Sequence, residues 1–206
     1  MKMSNYISIN NQQIHLTDEQ VEKIRSCFSL PVSNAKLADV PVGSFAKIGD
    51  HEMIVLEQLG TTTLLLRKDL LRESQEFGSN NNYDGSYVDA ICQEFAKEIA
   101  AVVGEDNILL HDVDLTSDDG LKDYGVIRRK ASLLTTEQAR RYVEILDRYK
   151  LDAWWWLATP WSTPTHGDSY WVKCVSPSGS FDCSHCHFGF GVRPFCILKS
   201  NIFVSQ

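Results

Sequence analysis

Trp154-Trp155-Trp156-Leu157-Ala158-Thr159-Pro160-Trp161-Ser162 holds four of the chain's five tryptophans. Preceded by Leu151 and Ala153, the run is expected to form a strand whose side chains alternate between two faces, so at least one indole belongs to a core. Working outward, Trp161, Tyr170 and Trp171 sit among Ser, Thr, Pro, His and Gly, which suits partial exposure. For these three, core packing and contact are equally open. As contact residues they would serve as a stacking platform for a sugar or an anchor for a protein partner.

The closing third adds Phe181-Asp182-Cys183-Ser184-His185-Cys186-His187-Phe188-Gly189-Phe190 and then Gly191-Val192-Arg193-Pro194. The first of these combines aromatic, imidazole, thiol and carboxylate groups with almost nothing aliphatic, a composition suited to contact rather than packing. Cys183-x-x-Cys186 supplies half of a zinc-site spacing, but a structural zinc commonly takes a second pair, and no other CxxC or HxxxH occurs. No metal and no cofactor are expected. A redox CxxC belongs at a helix start after a strand, which this segment does not resemble.

Composition bounds the rest. The 206 residues, 43% hydrophobic and 23% charged, describe a folded protein rather than a disordered one. A net charge of −7 with scattered Lys and Arg argues against a nucleic-acid partner; Arg128-Arg129-Lys130 with Arg140-Arg141 is expected to be a solvated face. The first 16 residues lack a basic region followed by an apolar core, and no run approaches the roughly 20 residues of a bilayer span. A cytoplasmic location without signal peptide, transmembrane segment or membrane partner is expected, with all six cysteines reduced.

Tyr6-Ile7-Ser8-Ile9 and Gln13-Ile14-His15-Leu16 flank Asn10-Asn11, a hairpin pattern. Thr17 with Gln20 opens a helix through Val21, Ile24 and Phe28. Pro31, Asn34 and Pro41 punctuate a linker from Ser29 to Pro41. Beyond it, strands are expected at Ser44–Ile48, Glu52–Glu57 and Thr62–Leu66, and a polar loop at Phe77–Gly85. Ser86 would cap a helix carrying Val88, Ile91, Phe95 and Ile99 and ended by Gly104. A second helix starts at Thr135 and runs through Tyr142, Ile145 and Leu146, and short antiparallel strands follow. Asp112 to Gly120 has the charge of a calcium loop with its glycine and its terminal glutamate misplaced, and reads as an acidic turn between strands. No glycine-rich phosphate loop, GxSxG or HExxH occurs, so no catalytic residues are expected.

Ala131-Ser132-Leu133-Leu134-Thr135, the tryptophan run, Tyr170-Trp171-Val172, the turn at Gly179 and Gly191-Val192-Arg193-Pro194 together resemble a group of gut-bacterial and phage proteins. That group is similar to the C-type-lectin-like fold of formylglycine-generating enzymes and of the variable proteins of diversity-generating retroelements. The likeness spans roughly Val40 to Gln206. It implies that the α+β domain read from the pattern (40–206), with short antiparallel strands and two helices, is C-type-lectin-like; the hairpin and helix before it read as a β-β-α appendage and linker (1–39) for docking or self-association.

Retroelement diversification of AAC codons excludes Met, Trp, Lys, Glu and Gln, and Phe181 to Phe190 contains none of them. The resemblance implies a non-enzymatic, phage-associated or mobile-element protein that binds a protein or glycan. Its contact face would comprise Trp161, His166, Tyr170, Phe181, Asp182, Ser184, His185, His187, Phe188 and Phe190. The alternatives are an intracellular phage inhibitor of a host defence complex and a metal-dependent oxidase. The motif context around Cys183 and Cys186 departs from that of the copper-holding formylglycine-generating enzymes.

Overall fold

Alternating apolar and polar residues with glycine turns give this chain a largely β architecture, and the computed structural model describes it for residues 6–9, 12–15, 17 and 34–205. The chain divides into two compact units, residues 1–34 and 35–206. In the first, β1 (Tyr6–Ile9) pairs antiparallel with β2 (Gln12–His15), Tyr6 opposite His15. The helix expected from Thr17 to Phe28 lies outside the described residues.

The second unit opens with β3 (Asn34–Lys36), which joins the main sheet. Leu37 and Val40, expected in a linker, are buried in the core. Their carbonyls accept hydrogen bonds from the Gln58 side-chain amide at 2.8 and 3.2 Å, so the linker reading fails for Ala35 to Val40. Strands β4 (Phe45–Ile48), β5 (His51–Leu59) and β6 (Thr62–Arg67) form the expected meander. Met53, Ile54, Val55 and Leu56 of β5 are all buried, because both faces of this strand are covered. Then follow β7 (Arg72–Glu76) and helix α1 (Tyr87–Val103). The Ser86 side chain caps α1 by accepting from the Asp89 backbone N–H, and the helix ends at Gly104, whose φ of 91° suits glycine alone.

β8 (Ile108–Leu109), β9 (His111–Asp114), β10 (Val126–Arg129) and β11 (Ala131–Ser132) lead to Thr135, which forms a complete capping box with Gln138. The single helix expected there is two, α2 (Thr136–Arg141) and α3 (Val143–Arg148). The break falls at Tyr142, where the backbone leaves helical geometry and the phenol donates to the Glu57 carboxylate at 2.6 Å. The described residues therefore carry three α-helices where two were expected.

The last third supplies β12 (Trp155–Pro160), β13 (Trp171–Val175), β14 (Phe181–His185), β15 (Gly189–Val192), β16 (Phe195–Lys199) and β17 (Phe203–Ser205). They do not make one terminal antiparallel sheet. β16 and β17 join the main sheet, ordered β11-β16-β6-β5-β4-β17-β3 with β8 also on β16, while the others form a second sheet ordered β14-β13-β12-β15-β7. Within that sheet β12 and β15 run parallel, Trp155 opposite Gly191.

The two sheets share their cores. Helix α1 lays Phe95 and Ile99 on the main sheet and Val88 and Cys92 on the second. Leu146 of α3 covers the opposite side with Trp155, Leu157 and Phe195. Both Trp155 and Trp156 are buried, on opposite faces of β12, and the Trp156 indole donates to the Gln75 carbonyl at 2.8 Å. The architecture is α+β.

Candidate functional site

The register of β13 on β14 decides which candidate residues share a face. Trp171 lies opposite His185, Lys173 opposite Cys183 and Val175 opposite Phe181, so these six project to one side. Asp182 and Ser184 pair with Cys174 and Val172 and project to the other. Alternation thus splits the segment that its composition suggested was one surface. Phe181 packs at the edge of the core shared with Trp155 and Leu146, with the Arg140 guanidinium 5.9 Å from its ring centre. Phe190 lies on the indoles of Trp154 and Trp156 at 5.4 and 4.5 Å between ring centres. These two support the sheet more than they present a surface.

A compact exposed group does form around the turn from β14 to β15. Phe188 N–H donates to the His185 carbonyl at 2.9 Å and closes the turn. His185 stacks on Tyr170 at 5.2 Å with 6° between the ring planes; it also meets Trp171 edge-on at 6.1 Å and His187 at 5.1 Å. Tyr170 is 48% exposed, Trp171 43%, Trp161 46% and Phe188 59%. Trp161 adjoins the group through its backbone N–H, which donates to the Trp171 carbonyl at 2.9 Å.

Beneath these rings, Cys186 is buried, its N–H donating to the Tyr170 carbonyl at 2.7 Å and its carbonyl accepting from Phe77 N–H at 2.8 Å. The ligand atoms of His185, Cys186 and His187 all lie within 4.8 Å of one another. Burial raises the Cys186 thiol pKa, and the charges of Glu76 and Asp168 raise it further. Cys183, the other half of the CxxC, stands on β14 outside this cluster.

What holds the platform was not visible in any motif. Asn81, buried in the loop expected to be polar, donates to the carbonyls of Ser162 and Trp171 at 3.0 and 3.2 Å. It also accepts from the Tyr124 hydroxyl at 2.6 Å, and its backbone N–H donates to Ser169. Phe77 and Tyr83 of the same loop are buried as well. The acidic turn between β9 and β10 supplies the second clamp. Asp119 accepts from the hydroxyls of Ser117 and Ser162 and meets His166 Nδ1 at 2.9 Å; these contacts, Ser117 foremost, hold its carboxyl well below the usual range. Asp123 accepts from the Thr165 and Thr163 hydroxyls at 2.6 and 2.8 Å, which lowers its pKa likewise. Asp168 Oδ1 caps Tyr170 N–H at 2.9 Å, while its Oδ2 is buried with no partner among the described residues. The loop from Trp161 to Trp171 is therefore pinned at both ends and in the middle, and His166 is exposed but tied to Asp119.

The basic run is not simply solvated. Arg129 makes a forked ion pair with the buried Asp89 at 2.8 to 3.2 Å and reaches Asp84 at 2.5 Å, fastening β10 to α1. Acidic partners also engage Arg128 and Arg140, which leaves no concentrated positive patch there.

A family model described as Domain of unknown function (DUF6273) matches residues 111–200, from β9 to the end of β16, and takes in the whole exposed ring group. Neither the curated proteins nor the solved structures contain a match to the chain.

Proposed function

We propose that this protein is a non-enzymatic binding protein whose contact surface is the ring group of Trp161, Tyr170, Trp171, His185, His187 and Phe188. The larger unit is taken as a variant of the C-type-lectin-like fold, and the ligand as a protein or glycan met by a phage or mobile-element product. The observation that carries this is the joining of large exposed rings to a backbone that is clamped from outside. Asn81, Asp119 and Asp123 hold the loop from Trp161 to Trp171, and four of the six residues expose two-fifths or more of their surface. Monomeric proteins seldom leave several large aromatics together in water without a use. Rigid aromatic anchors bind at low entropic cost, because little conformational freedom is lost on contact.

The test is selection from displayed peptide and glycan libraries on immobilised protein, with Trp161→Ala/Phe188→Ala as the comparison. A ligand selected on the wild type is expected to lose at least about 10-fold in affinity on the double variant, the size of a modest hot spot. Its melting temperature should move little, since exposed substitutions cost within about 0.5 kcal/mol each. Libraries that yield no ligand, or ligands indifferent to the double variant, would count against this surface.

A further inference from the structure

We propose that the turn between β14 and β15 binds one thiophilic transition-metal ion, Zn2+ or Co2+ in the simplest case, through His185, Cys186 and His187. The reading departs from the expectation of no metal, which weighed Cys183 with Cys186; the turn instead gathers Cys186 with the histidines on either side of it. Three consecutive residues ordinarily diverge. Here Phe188 N–H closes the turn on the His185 carbonyl, and Cys186 is fixed on both sides by Tyr170 and Phe77. Their ligand atoms fall within 4.8 Å of one another, so a small adjustment of rotamers brings them to a common ion at about 2.0–2.3 Å.

The donor set is chemically coherent. One thiolate and two imidazoles form a set that zinc and cobalt accept readily, and three protein ligands leave a fourth position for water or a ligand group. His187 N–H donates to His185 Nδ1 at 3.5 Å, a long, weak hydrogen bond that metal ligation by either ring nitrogen would give up. Stacking against Tyr170 fixes the plane of that ring. On binding, the Cys186 thiol loses its proton to water and the sulfur–metal bond replaces it.

Cobalt provides the readout, because a thiolate ligand gives Co2+ a sulfur-to-metal charge-transfer band in the near ultraviolet. Metal-free protein titrated with Co2+ is expected to saturate at one ion per chain with that band present, and Zn2+ should bleach it. Cys186→Ser should abolish the band and weaken zinc binding at least 10-fold, whereas Cys183→Ser should change neither. Should Cys186→Ser fold poorly, His185→Asn/His187→Asn removes two donors from the surface and is expected to lose the ion with the near-ultraviolet dichroism of the fold retained. No uptake at one equivalent, binding without the thiolate band, or a band that survives Cys186→Ser would overturn the site. The outcome is separable from that of the contact surface, because Trp161→Ala/Phe188→Ala removes no ligand and should bind Co2+ as the wild type does.

Discussion

Arg193 carries a guanidinium into the interior at 1% exposure, with no carboxylate in ion-pair contact among the described residues. Its Nε donates to the Arg67 carbonyl at 2.9 Å, its Nη2 to the Lys68 and Tyr149 carbonyls at 2.8 and 3.4 Å, and its charge lies 5.3 Å from the Trp155 ring centre. Burial lowers its pKa to about 10, with Asp69 opposing. The Gly-Val-Arg-Pro sequence is thus a fastener: a Cβ on Gly191 would come within 2.5 Å of Leu70, and Pro194 accepts from Arg67 N–H. Arg193→Met should leave these carbonyls unpaired and cost about 3 kcal/mol, a fall in melting temperature of about 6–12 °C for a domain of this size. Arg193→Lys should recover little, since one ammonium does not reproduce the fork; a melt close to wild type for either variant would refute the role. His111 makes a second residue-level case. It is buried against Phe195 and bonded to Ser132 Oγ at 2.9 Å, and burial lowers its pKa from 6.5 to about 4. Between those values the unfolded chain holds a proton that the folded chain refuses. Stability should therefore fall as pH drops from 6.5 to 4, by about 3 kcal/mol in all, and level off below. Denaturant titrations across that range should show a flatter slope in His111→Gln, and an unchanged slope would clear His111 of the effect.

Elements were legible wherever their signals are local. The strands β4 to β6, the Ser86 cap, the Gly104 stop and the Thr135 capping box all follow from patterns a few residues long, and each forms. Other features escaped because they depend on partners far along the chain. Tyr142 interrupts a helix whose sequence pattern continues, through a hydrogen bond to a residue 85 positions away. The parallel pairing of β12 with β15 depends on Leu70 and Trp154 meeting Gly191, and pattern alone gives no strand direction. At the candidate site, Tyr170, Trp171, His185 and His187 stand out by type and do cluster, with Phe188 joined to them through its backbone. Composition could not separate them from Phe181 and Phe190, because the face a strand residue takes is set by register. The clamps are harder still: Asn81, Asp119 and Asp123 are ordinary turn residues, and the partners through which they hold the Trp161 to Trp171 loop lie about 40 to 90 positions away. An acidic turn facing Ser162-Thr163-x-Thr165 was the one hint available.

For the molecule as a whole, the point at issue is where the larger unit begins. Proline punctuation places that boundary at residue 39 or 40, whereas the contacts divide the chain between Asn34 and Ala35. The intervening residues are tied to the main sheet by backbone hydrogen bonds: Leu37 N–H donates to the Ile202 carbonyl at 2.9 Å, Ala38 N–H to Ser200 at 2.8 Å, and β3 extends the main sheet at its edge beside β17. Leu37 and Val40 join the core of Phe95, Ile99 and Met53, where each apolar side chain contributes about 1.5–3 kcal/mol on burial. A chain starting at residue 34 should therefore keep a single cooperative unfolding transition, since the three core clusters found among the described residues lie within residues 37–204. A chain starting at Pro41 loses both side chains and the β3 pairing, and should be less stable by at least about 3 kcal/mol. It also strands the Gln58 amide, whose acceptors are the Leu37 and Val40 carbonyls. Matched denaturant titrations of the two truncations decide the boundary: equal midpoints would restore the linker reading, and loss of the cooperative transition in the longer one would mean that the larger unit does not fold by itself.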